Sequence, residues 1–293
     1  MGRLLGIALL LIAAGVSLGL FLTRATPLDE AALEGLTGDP VAGAQVFHAA
    51  GCASCHAAPG AKGEDRLVLA GGQRFASPFG TFVAPNISSD PEAGIGGWSA
   101  LDFASAVMRG VSPDGMHYYP AFPFTAYALM ERQDVVDLWA YMATLPPSTA
   151  PSAPHELGFP FNIRRSVAVW KLLNGPSDWV QPAGDTPRGR YLVEALAHCA
   201  ECHTPRDSLG RLDTARWMAG APNPSGQGKI PGITPAQLDW SAGDIAYYLE
   251  TGFTPDFDSA GGHMASVITN MAQLSAEDRN AIAAYVKALP RVE

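Results

Sequence analysis

The residues of this 293-residue chain whose types and spacing could do chemistry are Cys52-Ala-Ser-Cys55-His56 and Cys199-Ala-Glu-Cys202-His203. They hold all 4 cysteines of the sequence. Two thiols two residues apart, followed at once by histidine, form the attachment signature of c-type haem: the thiols add to the haem vinyl groups and the histidine can ligate iron. Other chemistries of paired thiols fit less well. A thioredoxin-like redox pair needs a βαβ setting, which the pattern here lacks. A zinc site needs four ligands at metal spacing, and each motif offers two cysteines. Structural disulfides would leave the histidine after each pair unexplained, and four cysteines are too few for a disulfide scaffold of this length. Two covalently bound haem c groups are therefore expected, on Cys52/Cys55 and Cys199/Cys202, with His56 and His203 as proximal iron ligands. A backbone carbonyl accepting the other ring N–H would fix each tautomer. Pro59 and Pro205, within three residues, offer either that or an ordinary turn.

The elements that must position these motifs come as an internal repeat. The motifs lie 147 residues apart. Trp98-Ser-Ala-Leu-Asp and Gly110 recur as Trp240-Ser-Ala-Gly-Asp and Gly252 at offset 142, with twelve residues from Trp to Gly in both. Asp134, Tyr141, Leu145 and Pro146 recur as Asp278, Tyr285, Leu289 and Pro290 at offset 144. Each unit opens near a Gly-Asp pair, Gly38-Asp39 or Gly184-Asp185, and closes on Leu-Pro, which predicts domains over 38–146 and 184–290, each near the ~100-residue domain mode. Residues 147–183 join them, beginning with a stiff Pro-rich stretch to Pro154. Phe159 to Trp170 is too apolar for a free linker and is expected to pack between the units. Apolar spacing predicts helices at Val41–Gly51, Ala100–Arg109, Gln133–Ala143, Pro187–His198, Ala242–Glu250 and Glu277–Leu289. The intervening Gly- and Pro-rich stretches show no sustained period-two alternation.

Ahead of the repeat, Leu4 to Leu22 run 19 residues without a charge, roughly 28 Å as a helix against the ~30 Å hydrocarbon core of a bilayer. The run exceeds the usual core of a signal peptide, and no clean small-x-small cleavage site follows it, so residues 1–26 are expected to be a retained anchor rather than a cleaved leader. Arg3 and the terminal amine lie on the leading side, which exports everything after Arg24. The net charge is -9; without Arg3 and Arg24 the exported part carries 17 bases against 28 acids, or -11. With no basic tract, nucleic acid is excluded as a partner.

The pattern Gly-x-x-x-Phe before Cys-x-x-Cys-His-x-x-Pro, at Gly43 to Pro59, and the closing Asp-to-Tyr-to-Leu-Pro helix resemble cytochrome c domains. With Pro85-Asn86-Ile87, Gly94-Ile95-Gly96-Gly97-Trp98, Ser112-Pro113-Asp114-Gly115, Tyr119-Pro120-Ala121 and His203-Thr204-Pro205-Arg206, the order over 38–290 resembles membrane-anchored cytochrome subunits that accept electrons from periplasmic dehydrogenases of the alcohol and aldehyde type. The resemblance implies an all-α fold of two tandem cytochrome c domains after a single N-terminal transmembrane helix, in the bacterial inner membrane with the domains in the periplasm. It also implies the distal ligands. Met264, in Gly261-Gly262-His263-Met264, stands where the family places its axial methionine, with His263 as competitor; Met271 is expected to be core. In the first unit the family's Pro-Ala-Met-Pro is replaced by Pro120-Ala121-Phe122-Pro123, and phenylalanine cannot ligate iron. His117 is the expected ligand there, Met116 the alternative, and Met130 is read as core.

The expected function is electron transfer between a dehydrogenase or quinol-linked donor and a terminal oxidase or soluble cytochrome. The alternative is a dihaem enzyme of peroxidase or thiosulfate dehydrogenase type acting at an open first haem, for which no general acid or base stands near Phe122. A haem sensor is disfavoured because only three residues precede the anchor. His48, His155 and His198 are expected to pack rather than ligate, and Arg74, Arg109, Arg164 and Arg206 are possible partners of haem propionates.

Overall fold

The computed structural model describes residues 2–224, 226 and 228–293; Met1, with its amine, and Ser225 and Gln227 of the expected segment 184–290 lie outside the described residues. Helix α1 (Gly2–Leu22) has no buried residue and is long and apolar enough to cross a membrane. The body is helical, with two small sheets. Its first half holds α2 (Pro40–Ala50), α3 (Cys52–His56), β1 (Arg74–Ser77), β2 (Gly80–Val83), α4 (Ala100–Arg109), α5 (Phe124–Tyr127) and α6 (Arg132–Met142). After β3 (Glu156–Leu157) and α7 (Ser166–Asn174), the second half repeats the plan with α8 (Pro187–Arg190), α9 (Ala200–His203), β4 (Ala221–Pro222), β5 (Lys229–Ile230), α10 (Ala242–Thr251), α11 (Gly262–Met271) and α12 (Ala276–Ala288).

Local chemistry explains the repeated blocks. The Trp-Ser-Ala-x-Asp stretches are reciprocal capping boxes: Ser99 and Asp102 start α4, Ser241 and Asp244 start α10. Gly110 and Gly252, at φ 57° and 78°, end those helices in the left-handed conformation that glycine adopts without strain. Asp39 caps α2, with Pro40 in the first turn where its missing N–H costs nothing. The glycine of Gly-x-x-x-Phe is required by a helix crossing. A Cβ on Gly43 would lie 2.0 Å from the Asp137 carbonyl oxygen on α6, and one on Gly189 2.1 Å from that of Ala281 on α12.

Gly43 precedes Cys52 by nine positions, whereas Gly189 precedes Cys199 by ten. The helix expected at Pro187–His198 accommodates the extra residue by leaving α geometry at Arg190 and continuing as a π-helical turn, Tyr191–Leu196, the form that a single insertion into a helix takes. The sheets are a further departure from the sequence expectation. β1 and β2 pair antiparallel with Phe75 opposite Phe82, β3 adds to the far edge of β2, and β4 pairs with β5. Strands of two to four residues are too short for alternation to register in the sequence.

The Pro-rich stretch is held to the first unit. Asn86 Nδ2 donates to the carbonyls of Ser148 and Ala150 at 2.7 and 2.8 Å, and Val83 N–H donates to His155 Nδ1 at 3.1 Å. Beyond it the segment from Phe159 touches both units at its end, Trp170 Nε1 donating to the Leu209 carbonyl at 2.8 Å, but Phe159 and Ile163 face solvent, and Phe161 packs edge-on against Phe79 while staying 43% exposed. One apolar core runs through both units and includes Phe47, Leu192, Met218 and Tyr285, each 2% exposed or less. Full burial of such side chains contributes about 1.5–3 kcal/mol apiece.

Candidate cofactor site

The two motifs occupy matching surroundings. His56 Nδ1 lies 2.9 Å from the Pro85 carbonyl oxygen and His203 Nδ1 2.7 Å from that of Pro231. A carbonyl can only accept, so each Nδ1 carries the proton and each Nε2 keeps a free lone pair. Burial lowers the pKa of both rings, which keeps them neutral and able to ligate. The orienting carbonyls thus come from Pro85 and Pro231, not from Pro59 or Pro205. Each loop is fixed by the same bonds: Gly71 N–H donates to the His56 carbonyl and Gly220 N–H to that of His203, both at 2.7 Å. Ile87 N–H donates to Leu69 and Ile233 N–H to Met218, two fully buried residues at φ 54° and 60°. Non-glycine residues in that region cost free energy and persist where the surroundings over-determine them.

Burial, then the partner thiol of the same motif, pushes Cys52 and Cys199 up to about 12. That is opposite to the depressed pKa of redox-active thiols. Among the described residues no group of three or more His, Cys, Asp or Glu side chains could hold a metal ion by itself. A neutral imidazole with a free Nε2, directly after a Cys-x-x-Cys pair, fits a covalently held haem in each unit. Arg66, not singled out from the sequence, has a buried Nη2 with no partner among the described groups, a donor that suits a propionate. Arg74 and Arg206 instead pair with Glu156 and Glu201.

The distal sides differ. Val111 bridges to His117 as Phe253 bridges to Ser259, and Tyr118 N–H donates to Gly110 O as Ala260 N–H does to Gly252 O. This register makes Phe122 the counterpart of Met264. Met264 is half-buried against the core in α11, while its neighbour His263 is exposed and lies against the Phe75 ring. His117 is buried, but its Nε2 donates to the Thr23 carbonyl at 3.2 Å, just beyond α1, and its Nδ1 is unpartnered. Met116 is exposed; Met130 and Met271 are core.

The two motifs also meet each other. Ser54, between Cys52 and Cys55, donates to the Ser266 carbonyl at 3.2 Å and accepts from Asn270 Nδ2 at 2.6 Å, both on the helix that carries Met264. Burial, and next the Cys202 thiol of the other motif, push Cys55 up to about 11, although Cys55 as a residue is exposed. Tyr127 donates to the Ala50 carbonyl at 3.0 Å and packs edge-on against His198, ring centroids 5.4 Å apart. Tyr191 donates to Asp134 at 2.6 Å across the same boundary. Neither Tyr127 nor Asn270 stands out in the sequence, because only tertiary contact brings them there. Pro231 was within reach, since Pro231-Gly-Ile233 repeats the spacing of Pro85-Asn-Ile87.

Two helical units in one chain, each folded round a thiol pair and a poised histidine, define a protein of covalently bound haem. The chain belongs to the cytochrome c family, whose model matches residues 40–146 and 188–290. It is 58% identical over 291 residues, 98% of both chains, to a "Diheme cytochrome c-type" protein of Cereibacter sphaeroides. It is 37% identical over 252 residues to the fructose dehydrogenase cytochrome subunit of Gluconobacter japonicus, covering 83% of this chain and 51% of that one. With the gluconate 2-dehydrogenase cytochrome c subunit of Pantoea cypripedii the identity is 33% over 269 residues, 84% of this chain and 58% of the other. The chain thus matches nearly all of the first relative and little more than half of the other two. It is a dihaem cytochrome c with two covalently bound haem c groups, and it transfers electrons.

Proposed function

We propose that this cytochrome carries electrons in the periplasm, from a dehydrogenase or a quinol-linked donor to a terminal oxidase or soluble cytochrome, with α1 as its anchor in the bacterial inner membrane. The observation that carries the reading is the packing of the two motif regions on each other: Ser54 of the first motif touches the helix that bears Met264, and Tyr127 joins Ala50, just before the first motif, to His198, just before the second. When bound, the haems supply the one-electron couples. The chain attaches them through Cys52, Cys55, Cys199 and Cys202 and presents Nε2 of His56 and His203 to the two irons. Met264 completes the second site with a thioether, which raises the potential. His117 is the sequence's candidate for the first; with its Nε2–H on Thr23 it would serve there through the unpartnered Nδ1, or through Nε2 after turning away from Thr23. The relatives named as dehydrogenase subunits support a dehydrogenase as donor.

The test is anaerobic single-turnover reduction of the full chain in nanodiscs. A carrier takes up two electrons, equilibrates them between haems at a rate independent of protein concentration, and turns over no substrate alone. Steady consumption of peroxide or thiosulfate by the purified chain would instead establish the second reading, an enzyme at the first haem. Phe122 in the position of Met264 is the observation that favours that alternative.

A further inference from the structure

We propose that the segment 159–173 is a second membrane contact, an interfacial helix that seats the cytochrome body on the bilayer beside the anchor. The proposal rests on α1 spanning the membrane. Outside α1, twelve large apolar residues are exposed among those described, and six of them fall in these fifteen positions: Phe159, Phe161, Ile163, Val169, Leu172 and Leu173. On α7 the usual arrangement is inverted. Val167 and Ala168 face the body, while Ser166, Val169, Leu172 and Leu173 point outward at three- and four-residue spacing, the two leucines 60% and 59% exposed. An outward apolar stripe on a short helix is unfavourable in water and is the pattern of a helix lying in a membrane interface.

The position of the segment selects lipid as the occupant. Arg165, at the start of α7, donates from Nε to Thr23 Oγ1 at 2.8 Å and from Nη2 to the Leu20 carbonyl at 2.7 Å, so this helix begins at the level where the anchor ends. Leu20 and Thr23 lie at the end of α1, the level of the membrane interface where an interfacial helix lies if α1 spans the bilayer. His117 secures the same junction through the Thr23 carbonyl, 3.2 Å away. The far end is held to the body by Lys171, whose Nζ donates to the carbonyls of Arg109 and Gly110 at 2.6 and 2.8 Å, so the helix cannot swing away independently. In a chain of net charge -9, residues 159–173 carry no acid, and their three bases, Arg164, Arg165 and Lys171, are held by α1 or the body, so the outward face is apolar and puts no negative charge against anionic lipid.

The test uses the full holoprotein in vesicles of phosphatidylcholine with phosphatidylglycerol. Because the four native thiols are held in thioethers, single cysteines at Val169→Cys, Leu173→Cys, Leu10→Cys and Phe257→Cys can be labelled separately with an environment-sensitive fluorophore. Labels at 169 and 173 are expected to be quenched by lipids brominated near the carbonyl region and shielded several-fold from iodide, with the label at 10 deep in the bilayer and that at 257 fully open to iodide. If the label at 10 is in lipid but that at 173 stays open to iodide, the seat is overturned and the anchor stands. If the label at 10 is itself open to iodide, the anchor reading falls and takes the seat with it. Shielding of 173 from iodide and brominated lipid alike would assign the face to a protein contact and overturn the proposal. An unchanged haem absorption spectrum in each variant verifies the fold.

Discussion

His117→Ala tests two roles of one ring, its bond to Thr23 and ligation of the first iron. In this structure the ring is 7% exposed and its Nε2–H is spent on the Thr23 carbonyl, 3.2 Å away. Removing it deletes one buried hydrogen bond, worth about 1 kcal/mol net, and leaves a small void whose cost is of similar order, so about 2 kcal/mol in all. For a body of this size that lowers the unfolding midpoint by roughly 4–8 °C. Arg165 still holds Leu20 and Thr23, so the junction of α1 with the body loosens without detaching. The assay is differential: a thermal melt of the detergent-solubilised holoprotein, beside optical and low-temperature EPR spectra of both haems. The expected result is a lower midpoint with both haem spectra as in the wild type. A low-spin first haem that turns high-spin in the variant would refute this reasoning and make His117 the sixth ligand. The same change in Met116→Leu would assign the ligand to that residue.

Met264→Ala is expected to convert the second haem to high spin and lower its potential, while His263→Ala, on an exposed ring, changes neither; EPR with redox titration reads both. Gly43→Ala and Gly189→Ala each drive a Cβ into a carbonyl across a helix crossing, at 2.0 and 2.1 Å, and should each cost about 1–3 kcal/mol in thermal melts at equal haem content. His155 is held below its ordinary pKa by burial and then by Arg164, and it must stay neutral to accept from Val83. Its contribution is complete above its unfolded pKa of about 6.5 and is lost as pH falls through the lower folded value. Midpoints measured from about pH 7 to about pH 5 should therefore decline less steeply in His155→Gln, which can accept but not titrate in that range.

What could be read without coordinates was local. Cys-x-x-Cys-His carries its chemistry within five residues, and the boxes at Ser99 and Ser241 declare helix starts within four. The fold class and the two haems followed from those signals and from their repetition. The carbonyls that orient His56 and His203 lie 29 and 28 positions along the chain, so proximity in sequence pointed instead to Pro59 and Pro205. The π turn at Tyr191–Leu196 was present as a count, nine positions against ten, but counting does not say where a helix yields. Phe159 to Trp170 was expected to pack between the units because composition gives the amount of apolar surface and not its direction, and Phe159, Ile163 and Val169 turn outward.

The two units agree wherever attachment and helix crossing demand it, on the histidines, their carbonyls, the left-handed Leu69 and Met218 and the glycines under α6 and α12. They part on the distal side, where one offers a thioether and the other a phenylalanine. Since proximal ligand, tautomer and loop bonding are shared, they cannot account for a difference in behaviour between the haems. A gap in potential or spin state has its sources in Met264 against Phe122, in the first unit's junction with α1 at Thr23, in the buried Arg66 of the first unit and in the contacts each motif region makes across the boundary. The first two are separable by Met264→Ala and His117→Ala. The boundary contacts act on the coupling of the haems, so Asn270→Ala, which frees Ser54 from its 2.6 Å bond, should slow exchange between them while leaving the spin state of each unchanged.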